Sequence, residues 1–388
     1  MELSSDFRQT LERGMDRLAW GAEAVAKTIP PVQEGRYLNL NFNNGTYVVE
    51  EQLGYWAGYL AGKLWMLYDY YGTENFAQAA SLVTRWCGPI MKEANVNTGF
   101  VTQYAPTLGY ELTGEEWLKE LALEGCESFA KTYNPELGIF MMWPPTEPKP
   151  EHYGPFGRNF ADWETFIDES SCGSPLWWAR RFKPEYGDMM VSHQEGMSSL
   201  GVIQPDGRSH HMLGLDPATK KPLGFHTMQG YDNTTHWTRS QGWAMNSSIF
   251  AFEATGDEQF LEIAIKVSDY YLNDMIKDGP SVPFYDVLDP RIPDVPRDTC
   301  SVALATNCMI RLIEEKPELQ EKYGAYIEAG LTELFDNHVT PAGTLLHGSW
   351  GNIRGLTESV MPYGGLYLTE AVYRLLKAGK DIWGTRPA

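Results

Sequence analysis

Apolar residues return every three or four positions along most of this chain, in runs of about ten to twenty residues, and that period belongs to helices packed by one face or more. From Phe7 to Ile29 the series Phe7, Leu11, Met15, Leu18, Ala22 and Val25 predicts a first helix stopped by Pro30-Pro31. Gly54 to Tyr71 is apolar nearly all round, so that helix is expected to be buried on several sides. The pattern predicts further helices at about Glu74 to Glu93, Tyr104 to Leu112, Glu116 to Tyr133, Ser174 to Phe182, Asp188 to Ser199 and Gln241 to Ala254. Asp257 to Leu272, Cys300 to Glu315, Pro317 to Phe335 and Tyr363 to Lys377 complete a set of twelve.

Three joints share one punctuation: Gly72-Thr-Glu-Asn-Phe76, Gly114-Glu-Glu-Trp117 and Gly256-Asp-Glu-Gln-Phe260. A glycine suits the position just past a helix, and acidic residues suit the first turn of the next. Each joint therefore reads as an αα-hairpin connection, and twelve helices make six hairpins that either stack in a line or close into a ring. Strand signals are weak and confined to stretches such as Gly138 to Met142 and Thr344 to His347. Because the helical pattern resumes on both sides of the proline-rich Pro144 to Pro155, residues 1–388 read as one domain with an excursion.

A formal net charge of -20 argues against nucleic acid and against anionic membranes as partners, since both are bound through clustered Lys and Arg. It would also repel an anionic small molecule at long range, so a site for an acid has to be a local cationic patch acting within a Debye length. The five cysteines (Cys87, Cys126, Cys172, Cys300, Cys308) are scattered without metal-site spacing and read as free and buried. No run reaches the roughly eighteen apolar residues of a membrane span, and the first residues lack a signal-peptide core. A cytosolic protein is expected.

Polar and aromatic side chains crowd together from Met228 to Phe252 (MQGYDNTTHWTRSQGWAMNSSIFAF). Planar polar groups beside tryptophan suit the hydroxyl rim and C–H face of a sugar, and an arginine fork suits a sugar acid. A helix start with buried tryptophan anchors reads equally well. Asp162, Glu164, Asp168 and Glu169 lie in a second candidate stretch, ADWETFIDESSCGSPLWWA. Apolar neighbours around Asp168 would raise its pKa and make it a general acid near neutrality, whereas an Asp before Ser-Ser also suits a helix N-cap. The eight histidines (His152, His193, His210, His211, His226, His236, His338, His347) form no zinc-protease pair, and the nucleophile-elbow, P-loop and dinucleotide fingerprints are absent.

Several blocks, in order, give the chain a resemblance to the unsaturated glucuronyl hydrolases of glycoside hydrolase family 88 and, more distantly, to the unsaturated rhamnogalacturonyl hydrolases. They are Gly58 to Gly62 with Leu64, Trp65 and Tyr68; Thr98-Gly99-Phe100; Ile167-Asp168 with Pro175 and Trp178-Ala179; Gln229-Gly230 with Trp237 to Trp243 (WTRSQGW); Arg297-Asp298; and Gly348-Ser349 with Arg354-Gly355. The resemblance implies an all-α, (α/α)6 six-hairpin barrel whose cleft lies at one end. It implies hydration of the double bond in a terminal 4,5-unsaturated uronic acid of a lyase-generated disaccharide or oligosaccharide, with no metal or organic cofactor.

Carried over by position, Asp168 is the acid/base, while His211, Gln229 and Arg239 match polar residues around the sugar and its carboxylate. Trp143, Trp237 and Trp243 match stacking aromatics, Tyr55 stands where relatives often have Trp, and the loop from Gly348 to Gly355 would close over the leaving sugar. The family's second active-site Asp is here Asn97. That change removes a like charge that would help keep Asp168 protonated, so a homologue that binds such sugars without turnover, or with shifted substrates, is the alternative.

Overall fold

The computed structural model describes residues 1–146, 163–276, 282–351, 358–377 and 381–386. Among them the α-helices are α1 (Ser5–Ala26), α2 (Ala57–Tyr71), α3 (Glu74–Trp86), α4 (Val96–Thr102), α5 (Leu108–Thr113), α6 (Glu116–Ala130) and α7 (Ile167–Cys172). They continue with α8 (Ser174–Ala179), α9 (Glu185–Ser199), α10 (Thr238–Thr255), α11 (Glu258–Tyr270), α12 (Thr299–Glu315), α13 (Gln320–Glu333) and α14 (Pro362–Lys377). A π-helical turn, Gln103–Thr107, joins α4 to α5 and α8 follows α7 after Gly173, so the fourteen segments form twelve rods. This is the six-hairpin (α/α)6 barrel that the hydrophobic pattern and the resemblance together led us to expect.

Burial separates two layers. In α10 and α12 almost every side chain is buried, whereas α3 buries Phe76, Ala80, Val83, Thr84 and Trp86, and α11 buries a comparable single stripe. Helices apolar on all sides must be surrounded, and helices apolar on one side must face water with the other. Accordingly α2, α4–α5, α7–α8, α10, α12 and α14 pack on one another in sequence, and α14 returns to α2 to close an inner ring. The outer layer is α1 on α14, α3 on α2, α6 on α4, α9 on α8, α11 on α10 and α13 on α12.

The hairpin joints form as their glycines require. Gly72, Gly114 and Gly256 have φ of 68°, 70° and 72°, and each gives its N–H to the carbonyl four residues back. A residue with a Cβ avoids that left-handed region, so these helices stop where the glycine stands. At the C-terminal end of the inner ring, Arg311 of α12 grips Glu253 of α10 through two bonds of 3.0 and 2.6 Å, and Arg374 of α14 holds Glu314 at 2.9 Å.

Two expectations are corrected here. The helix foreseen at Tyr104 to Leu112 begins at Val96, because the π turn accommodates Pro106 without ending the rod. Strands are also more numerous than the weak signals suggested. β1 (Tyr37–Leu40) and β2 (Tyr47–Glu50) form an antiparallel hairpin, as do β3 (Tyr133–Asn134) and β4 (Ile139–Phe140). β5 (Trp163–Phe166), β6 (Met212–Leu215) and β7 (Pro222–His226) make a three-stranded antiparallel sheet with Phe166 opposite Met212 and Met212 opposite His226. That sheet pairs segments nearly fifty residues apart in the chain, which local periodicity does not report.

Candidate active site

Because the chain reverses at every hairpin, alternate helices run the same way and all the inner helices start at one end of the ring. A cavity of about 850 Å³ opens there. The second residues of α4, α7, α10 and α14 are Asn97, Asp168, Arg239 and Tyr363, and all four line it. Tyr55 and Trp56, just before α2, stack with ring centroids 4.2 Å apart and line it as well. Trp143, Gln229, Trp243 and Trp350 complete much of the wall.

Asp168 is not the cap of its helix. Phe166 is the N-cap, in extended conformation, and the carboxylate of Glu169 accepts the Phe166 N–H. Glu169 therefore takes the bracing duty that the sequence left open for Asp168, and the Asp168 carboxyl remains available. It is 8% exposed, and burial raises its pKa from 3.8 to about 7, against the opposing pull of the Arg239 charge and of its own backbone N–H. A carboxyl in that range carries a proton at neutrality and can both give and take one.

His211 backs Asp168, with its Nε2 3.6 Å from Asp168 Oδ2. The hydroxyl of Thr227 accepts the N–H groups of Gln229 (3.3 Å) and Gly230 (2.9 Å), so its own hydrogen is left for His211 Nδ1 at 2.7 Å. That bond puts the ring proton on Nε2, facing the carboxyl. Burial, helped by the Arg239 charge, holds the imidazole well below its ordinary pKa, so it is neutral.

Arg239 is 1% exposed, and its two terminal guanidinium nitrogens make three hydrogen bonds. Nη1 meets Asp298 Oδ2 at 2.6 Å and also donates to the Ser349 carbonyl, while Nη2 donates to the Trp350 carbonyl at 2.9 Å. The rings of Trp237 and Tyr363 flank it with centroids at 4.5 and 4.7 Å. Gln229 Nε2 donates to the same Trp350 carbonyl at 2.6 Å.

Asn97 is half-buried on the second residue of α4, whose cap Asn95 accepts the Asn97 N–H at 2.9 Å. Glycine at 99 lets α4 meet α7 closely: a Cβ there would lie 2.1 Å from the Cys172 carbonyl oxygen. The two helix starts bearing Asn97 and Asp168 are thereby drawn to the same cavity.

The structure revises some expected roles. Trp237, 2% exposed, packs against His211 with ring centroids 4.2 Å apart and under the Arg239 guanidinium at 4.5 Å, and it stands behind the residues that line the cavity. His211 likewise stands behind the cavity wall, whereas Arg239 lines it. Trp243, packed on Phe100 at 5.1 Å, remains a wall residue, as do half-buried Trp143 and Tyr55. Asp162, His152, Arg354 and Gly355 lie outside the described residues.

Sequence reasoning missed Trp56, Trp350, Tyr363 and the β1–β2 hairpin, which brings Asn39, Glu50 and Gln52 to the rim. The hairpin did carry a signal, the turn residues Asn43-Asn44-Gly45 between two alternating stretches. Asp298 was noted within a block but given no role.

No family model matches the chain. It is 26% identical to the unsaturated chondroitin disaccharide hydrolase of Streptococcus pneumoniae, covering 93% of this chain and 94% of that one. It is 22% identical to the unsaturated glucuronyl hydrolase of Bacillus sp. strain GL1, covering 90% and 94%. Among solved structures, the unsaturated glucuronyl hydrolase of Bacillus sp. GL1 superposes with a TM-score of 0.81 at 20% identity, over 98% of this chain and 100% of that one. An unsaturated glucuronyl hydrolase specific for heparin also gives 0.81, at 21% identity, over 95% and 98%. Fold and full-length similarity together define a glycoside hydrolase on an (α/α)6 barrel. Its similarity, over nearly the full length, is to proteins named unsaturated glucuronyl or unsaturated chondroitin disaccharide hydrolases, which bears out the resemblance seen in the ordered sequence blocks.

Proposed function

We propose that this chain releases the terminal 4,5-unsaturated uronic acid from lyase-generated disaccharides or oligosaccharides, as a family 88 enzyme would, by hydrating the enol ether. In this reading the Asp168 carboxyl gives its proton to C4, and the positive charge that develops at C5 is shared with the ring oxygen. Asp168, now ionised, takes a proton from the water that bonds to C5. The hemiketal so formed opens and frees the remaining sugar.

One observation carries the proposal: a carboxyl at the cavity wall, relieved of capping by Glu169 and held by burial at about 7. Burial is the largest cause of that shift, so the charge missing at Asn97 is not required to keep the acid protonated. Asn97 still favours a second reading, a protein that binds the sugar tightly and leaves it intact. We also treat residues 1–388 as one catalytic domain, since α1 through α14 make one closed ring. The five buried, unbridged cysteines fit a reducing cytosol.

The test is loss of the conjugated-bond absorbance when the protein meets unsaturated uronyl disaccharides. Turnover supports hydration and eliminates the binding-only reading. Silence from both the natural chain and an Asn97→Asp variant overturns it.

A further inference from the structure

We propose that Asp298 is a positioning residue for the acid: by pinning and neutralising Arg239 it keeps the Asp168 carboxyl in the proton-carrying form that the hydration needs. This rests on the reading of Asp168 as proton donor. Asp298 is fully buried and absent from the cavity wall, so it cannot meet the sugar. Its two oxygens nevertheless hold three pieces of the site. Oδ2 takes Arg239 Nη1 at 2.6 Å, while Oδ1 takes the N–H groups of Cys300, at the start of α12, and Ser349, both at 3.1 Å. Ser349 and Trp350 then give their carbonyls to the same guanidinium, which closes the loop of contacts.

The electrostatic argument concerns what Asp168 faces. On its own helix lie Glu169 and the Cys172 thiol; from the segment before β6 comes neutral His211; from α10 comes Arg239, a permanent cation. Arg239 in turn faces Asp298, the Cys300 thiol and the Tyr363 hydroxyl. A bare guanidinium in this dry setting would draw the proton off Asp168. Paired with Asp298 it presents a dipole instead, whose field fades faster with distance.

The experiment follows the Asp168 titration directly, by NMR of aspartate-labelled protein with the Asp168 resonance identified by its loss in Asp168→Asn. The pH profile of kcat/KM on an unsaturated disaccharide is measured beside it. In Asp298→Asn, both the titration midpoint and the alkaline limb are expected to fall by roughly one pH unit, and Asp298→Glu is expected to recover most of that fall. A folded Asp298→Asn protein with an unmoved midpoint overturns the inference. Should that variant not fold, the doubly neutral Arg239→Gln/Asp298→Asn protein is expected to keep the midpoint at or above its natural value, and a drop there overturns it equally. If the midpoint moves as stated while the natural chain turns over no substrate, it is the hydrolase reading that fails and not the coupling.

Discussion

His211 Nε2 and Asp168 Oδ2 face each other at 3.6 Å, both shut from solvent, and neither has a hydrogen-bond partner among the described residues. The separation is too long for a formed bond, yet the Thr227 hydroxyl points the imidazole proton at the carboxyl. When Asp168 gives up its proton, the new negative charge appears in front of that N–H. His211 is thus placed to stabilise the ionised form only once it forms.

Replacing His211 by alanine is expected to lower kcat by about tenfold to a hundredfold while leaving KM near its natural value, because the ring backs the acid and does not line the cavity. Gln229→Ala or Trp143→Ala, which change the wall itself, are expected to act mainly on KM. Steady-state kinetics on one disaccharide separates the two patterns.

Asp168→Asn is expected to abolish turnover, with a loss of at least about a thousandfold, while disaccharide binding by calorimetry persists. Retention of a tenth of the natural rate would assign the proton to another group.

The pH dependence has a fixed sign. Activity that needs protonated Asp168 is present below about pH 7 and lost as pH rises through that value. Stability runs the same way. Below the unfolded pKa near 3.8 both states hold the proton, and above it only the folded state does, so the contribution declines until the folded value of about 7 is passed. Beyond that the full cost is on the order of 4 kcal/mol. Asp168→Asn removes this titration, and thermal melts from pH 5 to roughly 9 should show the variant gaining on the natural chain as pH rises.

Asn97→Asp adds a second carboxylate at the same cavity. Like-charge repulsion should carry the alkaline limb of kcat/KM upward by some tenths of a pH unit or more. A limb that moves downward would mean that the added group stays protonated and donates a hydrogen bond to ionised Asp168.

Gly99→Ala forces a methyl group to within 2.1 Å of the Cys172 carbonyl oxygen. A loss of about 1–3 kcal/mol in stability is expected, together with reduced turnover, since the contact sets α4 against α7. Urea unfolding with unchanged slope would attribute the loss to the folded state.

The helical ring was largely legible because its information is local. Gly72, Gly114 and Gly256 marked joints that formed as read, and the all-round apolar character of the stretch around Trp65 marked an inner helix. The site was less legible. Asp168 stood out by its apolar neighbours, but that Glu169 would take the capping bond depended on where α7 begins, a one-residue matter below the resolution of periodicity. Arg239 drew notice as a charge, whereas its partner Asp298 lies 59 residues away, and only the closed ring brings them together. Trp237 shows the converse: its residue type suggested a sugar platform, and the fold packs it against His211 and Arg239, behind the cavity wall.

Asn97, Asp168, Arg239 and Tyr363 each occupy the second position of an inner rod. Four wall residues thus share one address, while Trp143, Gln229 and Trp350 reach the same cavity from the segments between rods. A toroid built this way can be retuned by point changes at a few first-turn slots while the interior that closes the ring is left as it is.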